Sequence, residues 1–214
     1  MSILPLYNAL LTGLLLVSLF LWKIWLLPIV LFLSIISLVF FWFDLMKVKS
    51  HYESAFWLFI LSETIAFGML LLCCVWFDTN NFIKLSYPLE IPFLGCFLLL
   101  GSSITVTGFH HLMNFKFSWI LLLLTIILGI AFVILQIYEM KEIWMKIYDT
   151  SFHARSLCTV GLHFSHVVVG IIGLSAILLI TPLSSGFYRC RLITWYWHFV
   201  DYIWLFVYTF VYVC

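Results

Sequence analysis

Nothing limits how this chain can fold more than its apolar runs. Stretches near 4–21, 24–43, 55–77, 91–112, 117–138, 156–181 and 192–213 are dominated by aliphatic and aromatic residues, with only short polar breaks between them. At ~1.5 Å rise per residue, about 20 apolar residues cross a bilayer, so each run is long enough to span. Lipid offers no partner to backbone N–H and C=O groups, so a run lying in it must satisfy them internally, as a helix. The expectation is an all-α integral membrane protein with seven transmembrane helices. Composition agrees, with 65% hydrophobic residues, 9% charged residues and a mean hydropathy of +1.21, far from the values of a soluble domain.

Charge and cysteine usage exclude several function classes. Ten Lys or Arg stand against nine Asp or Glu, giving a formal charge of +1 with no basic run, so nucleic acid is not an expected partner. The six cysteines form no CxxC pair, which argues against a metal or disulfide framework. The opening MSILPLYNALLTGLLLVSLF has neither the basic start of a signal peptide nor an Arg-rich amphipathic pattern, and reads as the first span. A chain of this kind suits a bacterial or an organelle-encoded product. Basic residues divide evenly between the two sides, with Lys47, Lys49, Lys116, Arg189 and Arg191 against Lys23, Lys84, Lys141, Lys146 and Arg155, so charge leaves the orientation open.

Polar groups inside the runs are the candidates for function. Glu63, in WLFILSETIAFGMLLL, lies near the middle of its span, where an acidic group costs about 2.5–3.5 kcal/mol. Either a helix–helix hydrogen bond or a proton-linked or headgroup site facing a cleft would account for it. His163 and His166, in VGLHFSHVVVG, share a helix face, whereas His110 and His111 are neighbours about 100° apart around a helix and cannot both face one ion. Metal binding needs further ligands nearby, so all four histidines are expected to serve interhelical hydrogen bonding.

The closing run WYWHFVDYIWLFVYTFVYVC puts His198 and Asp201 on one face in an aromatic setting. The imidazole could donate to the carboxylate and offset part of its burial cost, so the expectation is a structural polar pair. Small residues, Gly161 with Ser165, Gly101 with Thr105 and Gly170 with Gly173, are candidate close-packing faces.

These residues carry a resemblance. WYWHFVDYIWLF at 195–206 resembles the C-terminal signature of the cytochrome c oxidase subunit III family. FILSETIAFG, YPLEIPFLGCFLLLGSSITVTGFHHLM, ILGIAFVILQIYEM and GLHFSHVVVG resemble its third to sixth helices in order, covering most of 55–214. The break from Lys47 to Ala55 is shorter than is usual in that family, Phe43 stands where it often has Arg, and Phe164-Ser165 replaces its usual Gly-hydrophobic pair.

The resemblance implies a two-helix part, residues 1–50, and a five-helix part, residues 51–214, with phospholipid in a cleft between them. Trp42 and Glu63 become the lipid-binding candidates. It further implies a non-catalytic subunit of the mitochondrial inner membrane, with a bacterial plasma membrane as the alternative. Such a subunit packs against oxidase subunits I and II and accessory subunits; haem a and copper belong to the partners, and this chain binds no metal or cofactor beyond phospholipid. A membrane metalloenzyme would need HxxxH or HxxHH boxes, and a secondary transporter would show paired internal repeats; neither pattern is found.

Overall fold

The computed structural model describes residues 4–22, 24–47, 52–76, 86–113, 115, 117–143, 151–180 and 186–213. Among them the chain forms seven α-helices: α1 (Leu4–Phe20), α2 (Leu27–Lys47), α3 (Glu53–Trp76), α4 (Ile91–His111), α5 (Ser118–Glu142), α6 (Ser151–Ile180) and α7 (Phe187–Val207). A 3₁₀ turn, Ile24–Leu26, precedes α2, and α7 continues as a π-helix over Tyr208–Val213. Each helix overlaps one apolar run, but the ends differ. Helix α6 begins at Ser151 and α7 at Phe187, ahead of the runs at 156 and 192, because His153, Arg155, Arg189 and Arg191 are poor in lipid yet ordinary in a helix.

The chain divides into two compact units, Met1–Tyr52 and Glu53–Cys214. In the first, α1 and α2 form a hairpin whose turn puts Trp22 at a φ of 51°, in the left-handed region. Tyr7 donates across the hairpin to the Leu33 carbonyl at 3.1 Å, and Ser37 donates to the Asn8 amide oxygen. Leu11 and Val30 are buried between the two helices.

In the second unit α7 is the hub. It packs against α3, α4 and α6, while α4 pairs with α5 and α5 with α6. Trp197, Trp204 and Tyr212 of this element are fully buried beside Phe67, Phe109 and Phe132. Close approach of α6 to α7 depends on glycine: a Cβ on Gly170 would stand 2.9 Å from the Trp197 ring, and Gly173 lies against Ile193. The other expected small-residue faces are not close contacts, since a Cβ on Gly161 would meet nothing within 4 Å and one on Gly101 only Leu128 at 3.8 Å. Helix α4 starts with Pro at its first turn, where the missing N–H leaves no bond unmade.

The surface is the inverse of a soluble protein's. Leu58, Ile65, Leu72, Ile104, Ile134 and Leu179 face outward, while Ser102, Thr125, Gln136, Glu139, His163 and Asp201 are buried. Apolar side chains turned out and polar ones turned in suit lipid as the surrounding medium.

Candidate functional site

Two sites combine an acid with a histidine, and both depend on α7. The first is built by α3 and α6. Glu63 sits on α3, and its Oε2 lies 3.0 Å from Nε2 of His166 on α6, 103 residues away in sequence. The other ring nitrogen of His166, Nδ1, donates to the Leu162 carbonyl one turn back on its own helix at 2.9 Å. That local bond fixes the ring so that Nε2 points across to α3. Phe67, one turn after Glu63, meets the imidazole edge-on at 5.2 Å between centroids. Tyr196 of α7 lies along the ring at 6.4 Å and its hydroxyl donates to the His166 carbonyl at 3.2 Å. The pair is enclosed but not sealed, with side chains 13% exposed for His166 and 26% for Glu63.

The second site corrects an expectation. His198 and Asp201 do not form a hydrogen-bonded pair; the imidazole turns to α4, where Nδ1 lies 2.9 Å from the Ser103 hydroxyl and Nε2 3.3 Å from that of Thr107. Thr107 spends its own proton on the Ser103 carbonyl at 2.8 Å, so it accepts from Nε2–H, and Ser103 in turn can donate to Nδ1. A neutral ring is thereby satisfied on both sides. Neither oxygen of Asp201 makes a well-formed hydrogen bond among the described residues; the Ser103 hydroxyl is the polar group that faces the carboxyl, and the residue is only 4% exposed. The physical reason is direction: residues three apart on a helix share a face, but a buried ring of this length reaches outward to the facing helix.

The remaining histidines separate. His163 donates from Nε2 to the Val200 carbonyl of α7 at 3.2 Å, and its ring lies 4.9 Å from that of Trp204. It therefore serves α6–α7 packing while His166 serves α6–α3, although both lie on one face in sequence. His110 and His111 meet edge-on at 5.7 Å at the end of α4, and neither has a hydrogen-bond partner among the described residues. Also among those residues, no three His, Cys, Asp or Glu side chains converge as a metal-holding group. The Trp42 side chain lies outside the described residues.

One buried acid escaped the sequence. Glu139 on α5 is 1% exposed and accepts from Ser86 at 2.9 Å and from Gln136 at 2.8 Å. Tyr208 donates nearby to the Pro88 carbonyl at 3.1 Å, so the segment before α4 is fastened to both α5 and the end of α7. Glu139 looks like the polar exit of its helix in YEMKE; the available signal was Gln136 three residues before it, on the same face.

Four helices, Glu53–Trp76, Ile91–His111, Ser118–Glu142 and Phe152–Leu179, are long and apolar enough to cross a bilayer. With the outward apolar and inward polar faces, they define a polytopic helical membrane protein. The family model for cytochrome c oxidase subunit III matches residues 5–214. The chain belongs to the cytochrome c oxidase subunit III family. It is 33% identical over 183 residues to "Probable cytochrome c oxidase subunit 3" of Rickettsia prowazekii, covering 73% of this chain and 66% of that protein. It is 40% identical over 136 residues to "Cytochrome c oxidase subunit 3" of Rhipicephalus sanguineus and 36% identical over 136 residues to that of Loxodonta africana, in each case covering 58% of this chain and 51% of the relative. The chain thus spans between 51% and 66% of the length of these curated relatives.

Proposed function

We propose that this chain acts as the non-catalytic subunit III of a respiratory cytochrome c oxidase. On this reading it crosses the membrane seven times and packs against subunit I, in a complex with subunit II and accessory subunits that reduces oxygen to water. Haem a and copper reside in those partners. The observation that carries the reading is the family match over 5–214, and the burial of an intramembrane acid, Glu63, against His166 supports a role beyond packing.

The finer role has two parts. Glu63 is the proton-linked carboxyl through which the subunit supports proton uptake by its partner and its stability in turnover. Phospholipid is the structural ligand, with Trp42 and Glu63 as the candidate lipid-binding residues. The long exposed apolar faces within each unit support a lipid-facing role. The mitochondrial inner membrane is the proposed location, as suits a chain this hydrophobic.

Purification of the native assembly in mild detergent tests this. A haem a spectrum, oxygen reduction and co-purifying phospholipid are the expected results. An assembly holding this chain without haem a or oxygen-reducing activity would overturn the assignment.

A further inference from the structure

We infer that Glu63 and His166 bind one proton as a single unit, so that the exchangeable group of this subunit is the pair and not the carboxyl alone. The inference deepens the reading of Glu63 as a proton-linked carboxyl and rests on it.

Hydrogen-bond bookkeeping at the imidazole carries the argument. Nδ1 faces a carbonyl, Leu162 O at 2.9 Å, and a carbonyl only accepts, so Nδ1 must carry a proton. A neutral ring then has a bare lone pair on Nε2, pointed at Glu63 Oε2 at 3.0 Å. Two lone pairs at that distance repel, so one more proton has to lie between them. Either the carboxylic acid donates to a neutral imidazole, or an imidazolium donates to a carboxylate. The two descriptions hold the same number of protons and the same net charge of zero, and they interconvert by moving one proton along the bond. Neutrality is what the surrounding medium favours.

Removing the proton is costly in a specific way. The carboxylate would face the Nε2 lone pair unless the ring moved its remaining proton from Nδ1, which would break the bond to Leu162. Titrating the carboxyl therefore means rearranging the imidazole, and the two groups cannot lose protons independently.

The neighbours leave this pair to itself. Helix α3 packs against α6, α7 and the π-helix that continues α7, whose Tyr208 and Tyr212 are turned to the Pro88 carbonyl and to Glu139. From α7 the titratable group facing the pair is Tyr196, whose hydroxyl is committed to the His166 carbonyl at 3.2 Å. From α6 it is His163, which is turned away to the Val200 carbonyl. A cation at the start of α3, Arg191, is 3.8 Å from Glu53, ten residues and about 15 Å along the helix from Glu63.

The test is an infrared pH titration of the purified native complex, with the Glu63 and His166 signals assigned by Glu63→Gln and by labelled histidine. Carboxyl and imidazole bands are expected to change together, with one midpoint. In His166→Gln, an amide replaces the ring and cannot hold the shared proton, so the imidazole change is lost and the carboxyl band should no longer keep its native midpoint. Separate midpoints in the native complex, or an unchanged carboxyl midpoint in His166→Gln, would overturn the inference. The native measurement decides the matter even if the variant fails to assemble. It needs no oxygen reduction, so an assembly that titrates as one unit but lacks haem a would fail the proposed function and leave the pair standing.

Discussion

Glu63 with His166 and Asp201 with His198 contain the same two functional groups, yet they are wired in opposite ways. In the first, the acid and the base come from different helices, 103 residues apart, and meet at 3.0 Å. In the second they lie three residues apart on α7, and both ring nitrogens go instead to hydroxyls of α4, leaving the carboxyl of Asp201 without a well-formed hydrogen bond among the described residues. The first acid is 26% exposed on its side chain and the second residue 4% exposed. The difference teaches that in a helical bundle a shared face brings side chains into the same seam without making them partners. Partners come from the helix across the seam, and the bond a ring makes to its own backbone decides where its free nitrogen points.

This contrast can be broken by substitution. The largest effect is expected for His166→Ala, which strands Glu63 inside the α3–α6 seam. Orphaning one member of a buried pair costs about 3–5 kcal/mol, and the partial exposure of Glu63 puts the expectation at the lower end, about 3 kcal/mol, read as a fall in the thermal midpoint of the solubilised complex. His198→Ala should cost about 2 kcal/mol: two interhelical hydrogen bonds at ~0.6 kcal/mol each in lipid, plus the cavity left by the ring. Gly170→Ala should follow at about 1–2 kcal/mol, because its new methyl would press on Trp197 at 2.9 Å and shift the helix that carries both His198 and Asp201. Asp201→Asn should be the mildest, below about 0.5 kcal/mol, since the carboxyl makes no well-formed hydrogen bond and an amide oxygen can face the Ser103 hydroxyl equally well. An Asp201→Asn loss equal to that of His198→Ala would restore the pairing expected from the sequence.

How much of this could be read beforehand varies from residue to residue. The existence of each helix among the described residues followed from hydropathy, because lipid forces backbone bonding into the segment itself. The starts of α6 and α7 did not, since Ser151, His153 and Arg189 end a lipid-compatible run without ending a helix. Glu63 stood out by the cost of its position. Its partner did not, because His166 offers no sequence signal that separates it from His163, and only the packing of α6 between α3 and α7 sends the two rings to different neighbours. Glu139 was missed for the opposite reason: an acid beside Lys141 and Glu142 looks solvated, although Ser86 and Gln136 enclose it. Gly170 with Gly173 and Gly161 with Ser165 look equally suited to close packing, and only the former meets a bulky residue of α7.

Two double-mutant cycles, measured side by side as coupling energies for assembly, test the central contrast most directly. The Glu63→Gln and His166→Gln cycle should give a coupling of about 1 kcal/mol or more, as expected for residues in one hydrogen-bonded pair, and the Asp201→Asn and His198→Gln cycle should give a value within about 0.5 kcal/mol of zero. A coupling near zero for Glu63 and His166, or a larger one for His198 and Asp201, would contradict the account.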